Sequence, residues 1–324
     1  MKKEKKIVSI GVLILDMFPA QLGVNLVDVK EFLPMPGGAC ANVAVSVSKL
    51  GIKSSFIGKV GKDYFGEFLN KTLLNYHVNT NGLIFDNERR TTMNFHAKPS
   101  KDYIQYLFYR NPGADTNLKL EEVDMKEIET AQAIHFDSLC LTDDPSRSTI
   151  IEILKVAKRS RTLVSFDFNF REVLWASLGD AIDTVNSILT YVDIFKMNDT
   201  EYSLLCSDAP LENGLHQILK LGPKLCIVTM GKEGSFIGNE NTSVTIKPYE
   251  VEVVDTIGCG DSFISAFLAY ALKEDIDILN LKERDMRLCG LFADTAASLT
   301  ATKQGAMPAL PSYEETREIF SKRI

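Results

Sequence analysis

Hydrophobic and polar positions follow two different periods along the chain, which predict strands and helices in alternation. Apolar runs of strand length lie at residues 7–15, 133–136, 163–168, 192–195 and 225–229. Helical periodicity covers residues 145–159, 180–189, 199–206, 211–221, 263–272 and 286–300. Strands that are apolar throughout and alternate with helices are typical of a parallel sheet covered on both faces. We therefore predict one α/β domain over residues 1–324, with a doubly wound, mostly parallel central sheet flanked by helices.

A different pattern in two segments predicts a second, smaller sheet. Residues 17–36 carry short, mixed apolar and polar runs, and the runs 92–97 and 103–109 flank the turn-forming stretch Pro99-Ser-Lys-Asp102. The second pair of runs predicts a hairpin. We expect the segments at about 17–36 and 91–110 to form a lid sheet that is inserted in the chain. Because such a sheet is exposed, it can also pair between subunits, so we expect a homodimer.

Composition narrows the classes of partner and compartment. The 324 residues are 45% hydrophobic and 24% charged, with a formal net charge of −7 and a pI near 5.3. An acidic chain argues against nucleic acid or an anionic membrane as the main partner, since either favours a basic face. Six cysteines without a Cys-x-x-Cys pair predict neither a zinc site nor disulfides and suit the reducing cytoplasm. Gly11, Asp16 and Pro19 interrupt the first apolar run, so we expect a buried strand there rather than a signal sequence or membrane span.

The stretch Val253-Val-Asp-Thr-Ile-Gly-Cys-Gly-Asp-Ser-Phe263 carries the strongest chemical signal. We expect an apolar strand at its start, a break at Gly258 and Gly260, and a helix after it. Unpaired N–H groups at a helix start attract anions, so this loop can hold a phosphate group. Asp261 suits the helix dipole, and beside a phosphate it can also accept the proton of an attacking hydroxyl. We expect Cys259 to lend only its backbone N–H, with a reactive thiol as the alternative.

This stretch resembles the second signature of the ribokinase-like (PfkB) carbohydrate kinases, in which Ala usually stands at the position of Cys259. The segment Gly37-Gly-Ala-Cys-Ala-Asn42 resembles the first signature, and the resemblance extends from Asp16 to Pro311 with its motifs in order. Asp63, in a Gly-x-Asp-x-Phe-Gly turn of the same family, is expected to cap a helix rather than act in catalysis. The resemblance implies that Asp261 is the catalytic base. The amides implied to stabilise the transferred phosphoryl group are those of Gly258, Cys259 and Gly260.

Two further groups of residues are implied to bind the acceptor sugar. Asp16 follows the first apolar run, and ligands of open α/β sheets bind beyond such strand ends, although a turn or cap role explains an Asp there equally well. The resemblance assigns the acceptor site to Asp16, Gly37, Gly38 and Asn42. Arg110 opens a stretch similar to Arg-Asn-Pro-Ser-Ala-Asp of fructokinases, and Arg171 lies in a segment similar to the family's Asp-Pro-Asn-x-Arg. Arg171 contacts substrate or phosphate, or it forms a structural ion pair.

Other motifs are implied to bind the nucleotide and its cations. Asn198 and Glu201 can face one side of a first helical turn, and they match the family's Asn-x-x-Glu motif, which is associated with hydrated Mg²⁺. A capping arrangement is the alternative. Residues 228–235 resemble a Thr-x-Gly-x-x-Gly turn beside the nucleotide, although a glycine hairpin has the same pattern. The implied nucleotide contacts are Asn198, Thr229, Gly231 and Gly234. Asp255 and Thr256 match the positions beside which family members often bind a monovalent cation such as K⁺.

Together, these motifs imply an ATP-dependent kinase that transfers the γ-phosphate to a terminal hydroxyl of a small sugar. The Arg110 stretch and the segment Gly305-Ala-Met-Pro-Ala-Leu-Pro311 are most like fructokinases, with 2-keto-3-deoxygluconate kinase and ribokinase as alternatives. The alternative from another functional class is a non-catalytic, sugar-binding regulator built on the same fold. Rival enzyme classes lack support, because no P-loop, H-E-x-x-H or G-x-S-x-G motif is present and Phe263 breaks a G-x-G-x-x-G pattern.

Overall fold

The computed structural model describes residues 3–21, 23–100, 103–207 and 209–324, whose strands form two sheets. The strands are β1 (Glu4–Ile10), β2 (Ile14–Pro19), β3 (Phe32–Gly37), β4 (Lys53–Gly61), β5 (Asn79–Asp86), β6 (Met93–Ser100), β7 (Tyr103–Tyr109), β8 (Ala131–Asp137), β9 (Leu163–Asp167), β10 (Ile194–Asn198), β11 (Leu225–Thr229), β12 (Ser235–Gly238) and β13 (Ser243–Ile246). The helices are α1 (Ala39–Lys49), α2 (Tyr64–Asn75), α3 (Met125–Thr130), α4 (Ser146–Ser160), α5 (Leu178–Ile188), α6 (Asp199–Cys206), α7 (Leu211–Leu219), α8 (Cys259–Lys273), α9 (Glu283–Ala301) and α10 (Tyr313–Phe320).

The central sheet has the strand order β13-β12-β11-β10-β9-β8-β1-β4-β5. Neighbouring strands are parallel from β5 to β11, and β12 and β13 pair antiparallel at one edge. The chain first adds β4 and β5 on one side of β1 and then adds β8 and the later strands on the other side. Ligands of such sheets bind beyond the carboxyl ends of the strands at this reversal. The predicted doubly wound, mostly parallel sheet is confirmed.

A smaller sheet with the order β3-β2-β6-β7 lies apart from the central one. β6 and β7 form the predicted antiparallel hairpin, while β2 and β6 are parallel to each other. Lys101 and Asp102 of the predicted turn lie outside the described residues. Asp16 of β2 is paired in register with Asn94 of β6, so both side chains project from the same face of this sheet.

The first apolar run is not one strand, so this prediction is wrong. β1 ends at Ile10 in the central sheet, the backbone turns at Gly11 with φ 152°, and β2 begins at Ile14 in the small sheet. A Cβ atom at Gly11 would lie 2.8 Å from Cys40 Sγ, so the crossing leaves no room for a side chain. Asp16 consequently lies within β2 rather than at the end of a central strand. Both strands are largely buried, which is why the hydrophobic pattern runs through the crossing without a break.

The strand predicted at the start of the 253–263 stretch is also absent from the structure described here. Val253 and Val254 are each 59% exposed and belong to no strand. The Val254 N–H donates to the Ala301 carbonyl at 2.8 Å, so this segment runs along the end of α9. A pair of β-branched residues without a neighbouring strand does not make a sheet.

The helices cover both faces of the central sheet. One core cluster packs α1, α8 and α9 against it through residues such as Val43, Phe267 and Phe292, and another packs α4, α5 and α7 through Ile153 and Val185 among others. All of these side chains are fully buried or nearly so, which accounts for the uninterrupted apolar strands between them. Within the described ranges, no helix is long and apolar enough to cross a membrane.

Asp63 caps α2, as the sequence predicts. Its Oδ1 accepts a hydrogen bond from the Gly66 N–H at 2.9 Å. Its Oδ2 accepts the Thr91 N–H at 2.9 Å, and the Thr91 hydroxyl donates to Oδ1 at 2.8 Å. The same carboxylate therefore satisfies the start of a helix and fixes the segment that leads into β6.

Candidate active site

A cavity of about 320 Å³ lies between the carboxyl ends of the central strands and one face of the small sheet. Most of the predicted site residues line it: Asp16, Gly38, Asn42, Arg171, Asn198, Glu201, Thr229, Thr256, Gly258, Gly260 and Asp261. Those that are not among its described lining residues are Gly37, Arg110, Gly231, Gly234, Asp255 and Cys259. A larger groove of about 780 Å³ lies at the opposite ends of the central strands, and none of the predicted residues line it. Helix carboxyl termini, which repel anions, converge at that edge.

Residues 258–261, the predicted anion loop, form the N-cap and the first turn of α8. Gly258 is the N-cap residue with φ 81°, and a Cβ atom there would lie 3.0 Å from the Ala306 side chain. Only glycine adopts this conformation without strain and leaves the loop against its neighbour. Burial, with the nearby Asp255 and Asp261 carboxylates, raises the pKa of Cys259 to about 12. A thiol with that pKa stays protonated, which argues against the alternative of a reactive thiol. The Cys259 N–H donates to the Thr256 carbonyl at 3.3 Å.

Asp261 projects from the first turn of α8 and meets α1. Its Oδ2 accepts a hydrogen bond from Asn42 Nδ2 at 2.8 Å. Burial raises the pKa of Asp261 to about 7, and the neighbouring Asp167 carboxylate adds to this effect, while the Asn42 bond and the Lys196 ammonium oppose it. A carboxylate whose pKa is near neutrality both loses and regains a proton easily, as a general base must.

A buried ion pair forms the floor beneath the anion loop. Asp167 of β9 lies in register with Lys196 of β10, and Lys196 Nζ lies 2.7 Å from Asp167 Oδ2. Burial alone would lower the pKa of Lys196, but Asp167, Glu201 and Asp261 outweigh it and raise the pKa. A Cβ atom at Gly260 would lie 3.1 Å from the same Nζ, so the ammonium lies directly under the loop. Lys196 was not among the residues predicted from the sequence, although a lysine within an apolar strand is itself an unusual feature.

The residues that were predicted to bind the acceptor lie on α1 and on the small sheet. Asn94 Nδ2 donates to Asp16 Oδ1 at 2.9 Å, and burial raises the pKa of Asp16 to about 6. A Cβ atom at Gly37 would lie only 1.8 Å from Asp16 Oδ2, which explains why a glycine stands there although it does not line the cavity. Asn94 was missed by the sequence analysis, because only the register of β2 and β6 brings it beside Asp16.

Three buried acceptor atoms around the cavity have no hydrogen-bond partner within the part of the chain that the structure describes. They are Asn42 Oδ1, Asn94 Oδ1 and Asp167 Oδ1. A buried acceptor without a donor costs about 1–3 kcal/mol, so such a cluster is typical of a site that binds a ligand rich in hydroxyl groups.

Aromatic side chains from the small sheet close the cavity above Arg171. Its Cζ lies 5.9 Å from the Tyr106 ring centroid, and its Nη1 donates to the Phe170 carbonyl at 2.9 Å. Among the described residues, no carboxylate lies within 4.0 Å of this guanidinium, so the alternative of a structural ion pair is not realised. Burial lowers the pKa of His96, another lining residue, to about 4, so this imidazole is neutral.

Arg110 is not among the described residues that line this cavity. Its Nε donates to Asp115 Oδ2 at 2.6 Å, its Nη1 to the Thr142 hydroxyl at 2.8 Å, and its Nη2 to the Leu139 carbonyl at 2.8 Å. Each nitrogen of the guanidinium is therefore engaged within the protein. The structure does not bring Arg110 together with the other predicted substrate residues.

Asn198 and Glu201 form the capping box that the sequence analysis gave as the alternative. Asn198 Oδ1 accepts the Glu201 N–H and Glu201 Oε2 accepts the Asn198 N–H, both at 2.8 Å. Glu201 Oε1 also accepts the Phe170 N–H at 2.7 Å. Each oxygen is already engaged once, so the pair fits a hydrated Mg²⁺ that is contacted through its waters better than a bare ion. No group of three or more His, Cys, Asp or Glu side chains suited to a metal occurs among the residues described.

The remaining positions that were predicted to bind the nucleotide or a monovalent cation lie at the end of β11, in the turn after it, and at the start of the anion loop. Thr229 ends β11, and its hydroxyl donates to the Met197 carbonyl at 3.4 Å. Gly231 and Gly234 both have positive φ, 51° and 88°, in the turn between β11 and β12. Asp255 Oδ1 accepts the Ile257 N–H at 3.3 Å, and its Oδ2 accepts the Gly305 N–H at 3.1 Å. These bonds tie the start of the anion loop to the segment that follows α9.

Comparison with known proteins agrees with this architecture. The pfkB family carbohydrate kinase profile matches residues 4–312. A probable fructokinase-2 of Arabidopsis thaliana is 36% identical over 307 residues, which cover 94% of this chain and 93% of the relative. The fructokinase of Xylella fastidiosa with bound ATP superposes with a TM-score of 0.90 at 27% identity, over 99% of each chain.

A double mutant of the fructokinase of Vibrio cholerae O395, in a form that binds fructose, ADP and potassium ion, superposes with a TM-score of 0.87 at 27% identity. The match covers 99% of this chain and 99% of that one. The family match spans nearly the whole chain, and the glycine-bounded anion loop, its aspartate and the two-sheet architecture all lie within it. The chain belongs to the pfkB family of carbohydrate kinases, and it is a sugar kinase.

Proposed function

We propose that this kinase transfers the γ-phosphoryl group of ATP to a terminal hydroxyl of fructose. The main support for the proposal is the Asp261 carboxylate, which lies in the first turn of α8 and accepts a hydrogen bond from Asn42. It lines a cavity whose other lining residues include Asn42 and Asn94, which carry buried acceptor oxygens. The fructose and nucleotide named for the relatives above support this choice of substrates. In 2-keto-3-deoxygluconate the carboxylate would need a cation, and of the two predicted arginines only Arg171 reaches the cavity.

In the proposed reaction, the protein mainly positions the reactants and stabilises charge. Asp16, Gly38 and Asn42 hold the sugar so that its terminal hydroxyl faces Asp261. Asp261 accepts the hydroxyl proton as the new oxygen–phosphorus bond forms and the bond from the γ-phosphorus to ADP breaks. The Gly258, Cys259 and Gly260 amides, at the positive end of α8, stabilise the transferring group.

The nucleotide and its cations are assigned to the opposite side of the cavity. We assign Thr229, Gly231 and Gly234 to nucleotide contacts, and Asn198 and Glu201 to the hydration shell of Mg²⁺. Bound there, Mg²⁺ would neutralise phosphate charge.

The proposed K⁺ site lies beside Asp255 and Thr256, at the start of the anion loop. Its occupancy is tested by measuring turnover with K⁺ replaced by tetramethylammonium. Equal rates with the two cations would remove K⁺ from the proposal.

The small sheet is proposed to act both as a lid and as a subunit contact within a single-domain protein. The alternation of β7 places Tyr103, Leu107 and Tyr109 on the face that points away from the cavity, and they are 57%, 47% and 60% exposed. Apolar side chains on an outer face are typical of a surface that a second copy covers.

The free state of all six cysteines supports a reducing compartment, and we propose the cytoplasm.

Turnover with Mg²⁺-ATP on fructose, 2-keto-3-deoxygluconate, ribose and adenosine tests the substrate assignment. We expect fructose to have the highest kcat/KM, because the neutral amide side chains of Asn42 and Asn94 in the cavity lining suit a sugar that carries hydroxyls and no charge. Preference for the acid would reassign Arg171 to a carboxylate, and preference for ribose would indicate a ribokinase. Absence of turnover on all four, with ATP still bound, would favour the non-catalytic regulator.

Asp261→Asn should lower kcat by about 10²–10⁴, as expected when a general base is lost. The fold should survive, because the amide is nearly isosteric and removes a charge that burial disfavours. Thermal unfolding of the variant above pH 7 should therefore occur no earlier than that of the wild type. Steady-state kinetics and calorimetry on the same sample separate the two effects, and near-normal kcat would refute the role of Asp261.

The pH dependence of kcat/KM should show an acidic limb near pH 7. Asp261 must be deprotonated to accept the hydroxyl proton, and its pKa is raised to about 7, so activity is present above that pH and declines as the pH falls through it. His96 has a pKa lowered to about 4 and stays neutral throughout this range. A limb centred near pH 4, where an unperturbed aspartate titrates, would contradict this assignment.

Substitution of the outer face of the small sheet tests the proposed dimer. Leu107→Glu should give a monomer in analytical ultracentrifugation, because an introduced charge opposes burial in the subunit contact. Leu120→Glu is the matched control, since Leu120 is 41% exposed but lies outside this sheet. A wild-type mass of one chain, or a dimer that withstands Leu107→Glu, would exclude this contact.

A further inference from the structure

Two lysines are buried to the same extent, but the protein satisfies them very differently. The side chains of Lys59 and Lys196 are each 4% exposed. The Lys59 ammonium bonds to the Asn117 carbonyl at 2.9 Å and to Glu122 at 2.6 Å, and it lies 3.6 Å from an Asp86 oxygen. All three of its hydrogens thus have an acceptor nearby.

Lys196 has one partner within the described chain, the Asp167 oxygen at 2.7 Å. Two hydrogens of a buried ammonium are therefore left without an acceptor there, although a buried charge is costly unless it is paired and hydrogen-bonded. This side chain also lines the cavity, whereas Lys59 does not. The uncommitted donors of Lys196 consequently belong to the site rather than to the core.

The position of Lys196 identifies the group that it can bind. A Cβ atom at Gly260 would lie 3.1 Å from its Nζ, so the ammonium lies against the loop assigned to the transferring phosphate. The only other Lys or Arg side chain among the described lining residues is Arg171, which lies beside Tyr106 of the small sheet. Of these two lining cations, Lys196 is therefore the one that lies against the anion loop.

The charge of the cavity makes such a cation necessary. Asp16, Asp167, Glu201 and Asp261 line it, and a nucleoside triphosphate would bring further negative charge among these carboxylates. Like charges close together in a poorly solvated site repel strongly. An ammonium between the carboxylates and the incoming phosphate lowers this repulsion.

We propose that Lys196 binds the γ-phosphoryl group during its transfer, and that Asp167 is the positioning residue that holds the ammonium under the anion loop. The proposal rests on the proposed kinase function. Lys196 stays protonated throughout: the proton of the acceptor hydroxyl passes to Asp261, and the ammonium contributes only hydrogen bonds and charge. Because its contact is with the γ-phosphate, it discriminates a triphosphate from a diphosphate.

Two readouts on Lys196→Met test this role. We expect kcat to fall by about 10²–10³, as for the loss of one donor to a developing charge. We also expect the affinity for Mg²⁺-adenylyl imidodiphosphate, measured by calorimetry, to fall about 10- to 100-fold, while the affinity for ADP stays nearly unchanged. Equal losses for both nucleotides, or unchanged affinity for both, would overturn the γ-phosphate contact.

Lys59→Met is the matched control for removing a buried ammonium. It should lower the free energy of unfolding but leave kcat per folded molecule and the ratio of triphosphate to diphosphate affinity unchanged. The double variant Asp167→Asn/Lys196→Met removes the unpaired carboxylate that the single variant leaves. If the double variant recovers wild-type kcat, Lys196 serves only to neutralise Asp167 and the proposal is wrong.

The nucleotide titration also separates this proposal from the proposed function. If the wild type phosphorylates none of the sugars tested, the acceptor assignment fails. The selective loss of triphosphate affinity in Lys196→Met would still support the phosphate contact, because that measurement needs no acceptor. If the wild type turns over fructose and the variant keeps both its kcat and its triphosphate affinity, the contact alone is refuted.

Discussion

The hydrogen bond between Asn42 and Asp261 joins the two helices on which the site depends. Asn42 Nδ2 lies 2.8 Å from Asp261 Oδ2, and one turn further along the helices the Ser46 and Ser265 hydroxyls bond at 2.6 Å. Polar contacts between small or medium side chains let α1 and α8 approach each other closely over the central sheet. Gly38, with φ 102°, lets α1 begin beside the same cavity that the amino terminus of α8 faces. The two motifs are distant in sequence, and this seam makes them one site.

Bringing those helices together concentrates carboxyl groups that burial removes from water. Burial raises the pKa of Asp16 to about 6 and that of Asp261 to about 7. Ionisation of either carboxyl therefore destabilises the folded protein. The pKa of each carboxyl is higher in the folded protein than its ordinary value of 3.8. The free energy of unfolding therefore falls as the pH rises from that value through the raised pKa. The Asp167–Lys196 pair offsets part of this cost but leaves donors and an acceptor free. In the proposed reaction, bound ligands would complete these contacts, which is a common trade between stability and function.

The parts of the site that local sequence determines were predictable, and the parts that depend on register were not. Gly258 and Asp261 lie within one short motif, so the glycine pattern alone indicates a loop, a helix start and a carboxylate beside it. Asn94 reaches the site only through the pairing of β2 with β6, and Lys196 only through the pairing of β10 with β9. Arg110 shows the opposite case, since its motif resembles a substrate-binding stretch while its contacts are internal. The crossing at Gly11 was hidden because both strands are apolar.

That crossing also links acceptor binding to the position of the small sheet. The chain leaves β1 for β2 and returns to α1 from β3, so Asp16 and Asn94 lie on an element attached beside the helix that carries Asn42. Asn94 and Asn42, whose side-chain oxygens have no hydrogen-bond partner among the described residues, line the cavity from the small sheet and from α1. A sugar with several hydroxyls at fixed spacing can bond to both sides at once and stabilise the closed arrangement. A single water molecule is too small to bond to both sides of the cavity at once. In the proposed function, the contacts that select the sugar would therefore also favour closure of the small sheet, which would exclude water from competing as the phosphoryl acceptor.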